Sequence, residues 1–218
     1  MSNIHIITGH YGSGKTEFAV NFALSLKETH ENVLLVDLDI VNPYFRSNDA
    51  RALLEQNGIT VLAPAFAGTN VDIPVLPPEI MRIFEEKDAQ IVLDVGGDDD
   101  GAIALGRYKE FFDKAGYEMY LVVNTRRPLT KTAKEILEMK TAIELSSRLT
   151  IKKLISDTNL ADETTIDAVL EGYEIVKDVS KKAGIPVFCV CAPENIASSI
   201  QEKVDAPVFS ITRRLHKI

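Results

Sequence analysis

The stretch "GHYGSGKTE" separates Gly9 from Gly14-Lys15-Thr16 by four residues, the full spacing of a phosphate-binding loop. Glycines at these positions permit backbone angles that turn successive N–H groups inward around an anion. A helix opening at Lys15 adds its positive end. In such a loop Lys15 reaches the β- and γ-phosphates of a nucleotide, and the Thr16 hydroxyl meets Mg²⁺. His10, Tyr11, Gly12, Ser13 and Glu17 complete the nucleotide-contacting stretch. The loop follows the strand-like "IHIIT" and precedes a helical pattern, the context this motif requires.

Carboxylates follow two other apolar runs. In "VLLVDLDIVNPYFRS", Asp37 and Asp39 alternate, so both face one side of a strand at its end. They are placed to hold the water shell of Mg²⁺ and to orient an attacking water, with Asp39 the catalytic candidate beside Lys15. In "QIVLDVGGDDDGA", Asp94 ends a strand where a carboxylate supporting Mg²⁺ belongs. The run from Asp94 to Gly97 also has the form of a γ-phosphate sensor, with the Gly97 N–H as its donor. Asp98, Asp99 and Asp100 read as a solvated loop and helix cap.

Three more strand ends carry polar residues. "LVVNTRRPLTKT" places Arg126 and Arg127 before Pro128, which suits a first helical turn. "LISDTNLADETT" supplies Asp157 and Asn159 as base readers: a carboxylate suits guanine's edge donors, and an amide suits adenine's donor–acceptor pair. "CAPENIASS" places Pro193 where a base pocket could be lined.

Positioning these groups requires a framework, and the periodicity supplies one. Short β-branched runs ("IHIIT", "NVLLVDLD", "ITVLAP", "QIVLDVG", "YLVVNT", "IKKLIS", "IPVFCVC", and "PVFSIT" at the edge) alternate with helical patterns. The helices are expected over 15–28, 48–56, 78–86, 102–115, 129–149 and 164–182. Strands apolar on both faces and separated by helices imply an α/β fold, with a mostly parallel sheet between two helical layers. Ligands then bind beyond the carboxyl ends of the strands, where the candidate residues fall. The one long loop is "APAFAGTNVDIPVLPP".

The 218 residues read as one domain, 1–218, with 45% hydrophobic and 26% charged residues. A net charge of -8 argues against nonspecific nucleic-acid binding. No apolar run reaches the length of a membrane span, and the expected location is cytoplasmic. The chain ends "APVFSITRRLHKI", which favours an edge strand over a membrane-binding amphipathic helix. Cys189 and Cys191, two residues apart on a strand, read as small apolar fillers rather than metal ligands.

With these motifs in view, "GHYGSGKTE", "LLVDLD", "IVLDVGG" and "APEN", the chain resembles the MinD/ParA (CobQ/CobB/MinD/ParA) branch of phosphate-loop nucleotide-binding proteins over nearly its whole length. The resemblance implies a three-layer phosphate-loop NTPase fold and a Mg²⁺-dependent ATPase acting as a switch or as an assembly or maturation factor. It implies phosphate and Mg²⁺ contacts at Lys15 and Thr16, a water-activating Asp39 and a Mg²⁺-supporting Asp94. An ATP-dependent homodimer is the implied partner, with an unidentified protein as the alternative. GTP remains open as the nucleotide.

His10 departs from the branch, whose signature lysine at that position reaches the partner's nucleotide, and Tyr11 replaces a usual glycine. Histidine is shorter and only partly charged near neutral pH. Arg46, Arg127 or a partner protein would then supply the missing charge. Two alternative functions accompany this departure: a small-molecule phosphotransferase or ligase of the CobB/dethiobiotin-synthetase type, and a nonhydrolysing nucleotide-sensing regulator.

Overall fold

The computed structural model describes residues 3–38, 51–62, 81–96 and 99–214, with the side chains of 99–101 excepted. Eight strands form one sheet: β1 (Ile4–Thr8), β2 (Asn32–Leu38), β3 (Thr60–Leu62), β4 (Ala89–Val95), β5 (Glu118–Val123), β6 (Lys153–Ser156), β7 (Val187–Pro193) and β8 (Val208–Ile211). Their order is β3-β2-β4-β1-β5-β6-β7-β8, and every pairing is parallel. The mostly parallel expectation is thus met by a sheet parallel throughout its described strands. The helices are α1 (Lys15–Lys27), α2 (Arg51–Gln56), α3 (Asp99–Gly106), α4 (Lys109–Ala115), α5 (Ala133–Ser147), α6 (Ile166–Ala183) and α7 (Glu194–Gln201).

Alternate strand residues enter two cores, because successive side chains point to opposite faces. Ile7, Leu35, Val92, Val122, Ile155, Cys189 and Cys191 pack with Phe18 and Phe22 of α1 and Leu54 of α2. Ile4, Ile6, Leu93, Leu121 and Leu154 pack with Ile136 and Ile143 of α5 and Val176 and Val179 of α6. Each fully buried aliphatic or phenyl side chain contributes about 1.5–3 kcal/mol. The cysteines are buried free thiols in the α1-side core, as apolar fillers would be. A third cluster, with Val169, Tyr173, Val190, Ala192 and Ile200, seats α6 and α7 against β7.

Several element boundaries differ from the sequence expectation for local reasons. The helix expected over 129–149 starts at Ala133, because Thr132 and Glu135 form a capping box. The Glu135 N–H donates to Thr132 Oγ1 over 3.3 Å, and the Thr132 N–H donates to Glu135 Oε2 over 2.8 Å. Leu129, ahead of that cap, has a φ of 63°. The helix expected over 102–115 is two, α3 and α4, separated at Arg107–Tyr108. Gly106, which ends α3, lies so close to α5 that a Cβ there would come within 2.9 Å of the Ser146 carbonyl oxygen. Among the described residues of the helix expected over 78–86, Arg82–Phe84 forms a single 3₁₀ turn. No helix among the described residues is long and apolar enough to cross a membrane.

Candidate phosphate-binding site

The loop from Gly9 to Gly14 links β1, near the middle of the sheet, to the first turn of α1. Gly9, Gly12 and Gly14 have φ values of 153°, 72° and 93°, in the region that favours glycine. Space restricts the outer two as well. A Cβ on Gly9 would sit 2.3 Å from the Val122 carbonyl oxygen, and one on Gly14 would sit 1.9 Å from Asp157 Oδ2. The Ser13 N–H donates to the His10 carbonyl over 3.1 Å, and the Phe18 N–H to the Gly14 carbonyl over 2.9 Å. These bonds fix the turn and start the helix. Lys15 is 7% exposed, and Ser13 Oγ is buried with no hydrogen-bond partner among the described residues. A loop so shaped can cradle an anion with its amides and a lysine.

Strand register aligns the carboxylates with this loop. Asp94 of β4 lies level with Ile7 of β1 on one side and Asp37 of β2 on the other. Ile7, Leu35 and Val92 point toward α1, so the alternation sends Asp37 and Asp94 to the same face, one step nearer the loop. Asp94 is buried and Asp37 partly so. Carboxylate and hydroxyl oxygens, as on Asp37, Asp94 and Thr16, are the donors hard divalent cations take. Asp39, Arg46, Gly97 and Asp98 lie outside the described residues, as does the long loop over 63–78.

The β5 and β6 ends brace the loop from the other side. Arg127 Nε donates to the Gly12 carbonyl over 3.0 Å, which places this exposed guanidinium at the loop's crest. Arg126 instead pairs with Glu171 of α6. Asn124, fully buried, joins both strand ends: its Nδ2 donates to the Asn159 carbonyl over 3.1 Å, and its Oδ1 accepts from the Arg126 N–H over 3.0 Å. The Thr125 and Thr158 hydroxyls, 3.1 Å apart, add a second tie. Thr158 in turn rests on Gly172 of α6, where a Cβ would meet its Oγ1 at 2.0 Å.

The two proposed base readers have different surroundings. Asp157 is 6% exposed and packs under Gly14, and burial pushes its carboxyl up to about 8. A hydrogen bond from Asn159 opposes that rise, and the neighbouring Glu17 carboxylate adds to it. Asn159 is partly exposed, and its Nδ2 donates to the Asp157 carbonyl over 3.0 Å. Pro193 ends β7, level with Ile211 of β8 at the same edge of the sheet. His10 Nδ1 lies 3.1 Å from the Tyr11 carbonyl, and the Tyr11 ring is 69% exposed beside the loop.

No family model matches the sequence, and no curated protein matches it. Solved structures do. The chain is similar to the cell division protein FtsY of Thermotoga maritima at 16% identity and a TM-score of 0.56, over 84% of this chain and 59% of that one. It is similar to FlhF complexed with GTP/Mg²⁺ at 18% identity and a TM-score of 0.53, over 86% and 64%. It is similar to a nucleotide-binding protein from Archaeoglobus fulgidus, in complex with ADP, at 11% identity and a TM-score of 0.52, over 93% and 89%. This is the phosphate-loop NTPase fold. The chain spans less than two thirds of the length of FtsY.

Sequence reasoning overlooked Asn124, Thr125 and Thr158 as the ties between neighbouring strand ends. Each lies at the carboxyl end of a strand, and that position was the available signal.

Proposed function

We propose that the chain binds a purine nucleoside triphosphate with Mg²⁺ and hydrolyses it as a switch. The observation that carries this reading is the phosphate loop. Three glycines at positive φ, a buried Lys15 and a helix N-terminus converge on one cradle, level with Asp94 and Asp37. Lys15 and the loop amides of residues 9–16 hold the phosphates, while Thr16, Asp37 and Asp94 hold Mg²⁺ directly or through its waters. Held there, Mg²⁺ would neutralise the charge of the phosphates. Asp39 orients the attacking water, and Gly97 senses the γ-phosphate.

ATP is the proposed nucleotide. Asn159 presents a partly open amide, the group that pairs with adenine's donor–acceptor edge, whereas the Asp157 carboxyl is engaged beneath Gly14. The likeness to FlhF, solved with GTP/Mg²⁺, makes GTP the competitor to test. Calorimetric titration with Mg·ATP and Mg·GTP should give tighter binding of ATP, and a GTP preference would remove Asn159 as the reader. Light scattering with Mg·ADP and then Mg·ATP tests the switch, for which dimers forming only with ATP are expected. A monomer in both states would leave a partner-completed site or a small-molecule enzyme.

Arg127 takes the charge role that His10 is poorly suited to fill. Its side chain already lies on Gly12 of the same chain, so no second subunit is needed to deliver it. Arg127→Ala should lower turnover about 10-fold, less than the loss of an enclosed donor because the guanidinium is exposed and screened. Single-turnover hydrolysis beside a binding titration checks this. Loss of affinity with unchanged turnover would make Arg127 a brace for the loop and no more.

A further inference from the structure

Strand β8 is parallel to β7, so its carboxyl end emerges at the same edge as the phosphate loop. An antiparallel edge strand would have released the following residues at the opposite edge. Thr212, Arg213 and Arg214 instead cross the start of α1. Asn21, 7% exposed, holds Thr212 at both backbone groups: its Nδ2 donates to the Thr212 carbonyl over 3.0 Å, and its Oδ1 accepts from the Thr212 N–H over 3.2 Å. The Arg214 N–H donates to Glu17 Oε1 over 2.7 Å, one residue beyond Thr16. Arg213 Nη1 reaches Asp162 Oδ1 over 2.9 Å, in the 3₁₀ turn Ala161–Glu163 that follows Asn159.

The strap therefore joins the first turn of the phosphate-loop helix to the loop after β6, next to the end of β7 at Pro193. Those three elements share the carboxyl edge of the sheet beside the phosphate loop, the edge along which a nucleotide held by its phosphates would lay its nucleoside half. We infer that residues 212–214 form a wall of the nucleoside subsite, and that Arg213 is a positioning residue that holds the 159–163 loop through Asp162. The inference rests on the nucleotide reading above and adds to it a specificity element contributed by the chain's basic end. Its chemistry is local. Backbone bonds at Asn21 and Glu17 fix the strap, and the Arg213–Asp162 pair sets where Asn159 stands relative to the base.

The test separates the nucleoside from the phosphates. Mg·ATP and inorganic tripolyphosphate with Mg²⁺ are titrated against wild type, Arg213→Asp, and the double variant Arg213→Asp with Asp162→Arg. Arg213→Asp places two carboxylates together and is expected to weaken ATP about 5-fold while leaving tripolyphosphate unchanged. The double variant restores the pair in reverse and should recover most of the ATP affinity. Equal affinity of wild type and Arg213→Asp for ATP would overturn the inference, as would equal weakening of both ligands. If the single variant is unfolded by circular dichroism, Asp162→Asn, which removes the pair without adding a like charge, replaces it. Weaker ATP binding with tripolyphosphate unchanged is expected there, and unchanged ATP affinity would overturn the inference. Wild type that binds neither ligand would instead refute the phosphate-loop reading, and the inference with it.

Discussion

Lys15→Ala is expected to raise the dissociation constant for Mg·ATP by at least about 100-fold, equivalent to about 2.7 kcal/mol. The size follows from the setting. A charge-assisted hydrogen bond contributes about 1.5–3 kcal/mol even before enclosure strengthens it. Lys15 is buried at the base of the loop, so its charge is little screened by water. Arg127 does not replace it, because that guanidinium lies exposed at the crest of the loop, braced on the Gly12 carbonyl, and not at its buried base. The fold should survive, since the substituted side chain lies at a ligand-facing edge and in none of the three core clusters. Titration calorimetry beside thermal unfolding without ligand separates the two effects. Undiminished affinity would end the assignment of residues 9–16 as a phosphate site.

The second large effect concerns Asp157. Burial raises its carboxyl to about 8, above the 3.8 of the free side chain, so the folded protein keeps a proton there that the unfolded chain releases. Between these values the native state binds more protons than the unfolded state. Stability from this group is therefore fully present below the unfolded value and declines as pH rises toward 8, by at most about 1.4 kcal/mol per pH unit. Asp157→Asn keeps the shape and a donor under Gly14 while removing the titration. The variant should gain on wild type as pH rises, by about 2 kcal/mol between pH 5 and 7.5 once relaxation of the buried site is allowed for. Denaturant unfolding across that range measures it, and parallel pH profiles for the two proteins would contradict a neutral Asp157. The same protonation bears on the phosphate cradle: a neutral acid beneath Gly14 does not repel a bound polyphosphate, whereas its anion would. Nucleotide affinity in wild type should accordingly fall above pH 8 more steeply than in Asp157→Asn.

How much of this was legible in the sequence depends on the range of the interaction. The phosphate loop is a contiguous motif whose chemistry is local: glycine conformations, one lysine and a helix start. The strands showed as β-branched runs because both faces are buried, and Asp37 and Asp94 showed because they end such runs. The capping box at Thr132 was also local, and it sets the start of α5 four residues beyond the start that periodicity placed at Leu129.

What the sequence determined by itself, then, was an α/β sheet with a phosphate loop at its carboxyl edge, because alternation and loop chemistry are written in neighbouring residues. The tertiary structure alone decided that Arg127 rests on Gly12, across 115 positions, and that Arg214 closes on Glu17, across 197. It also decided that Asp157 is a buried acid beneath the loop, while Asn159 stays partly open at the edge. These outcomes depend on strand order and on which side chains water can reach. Neither is encoded in local spacing, since both follow from how distant strands are brought side by side.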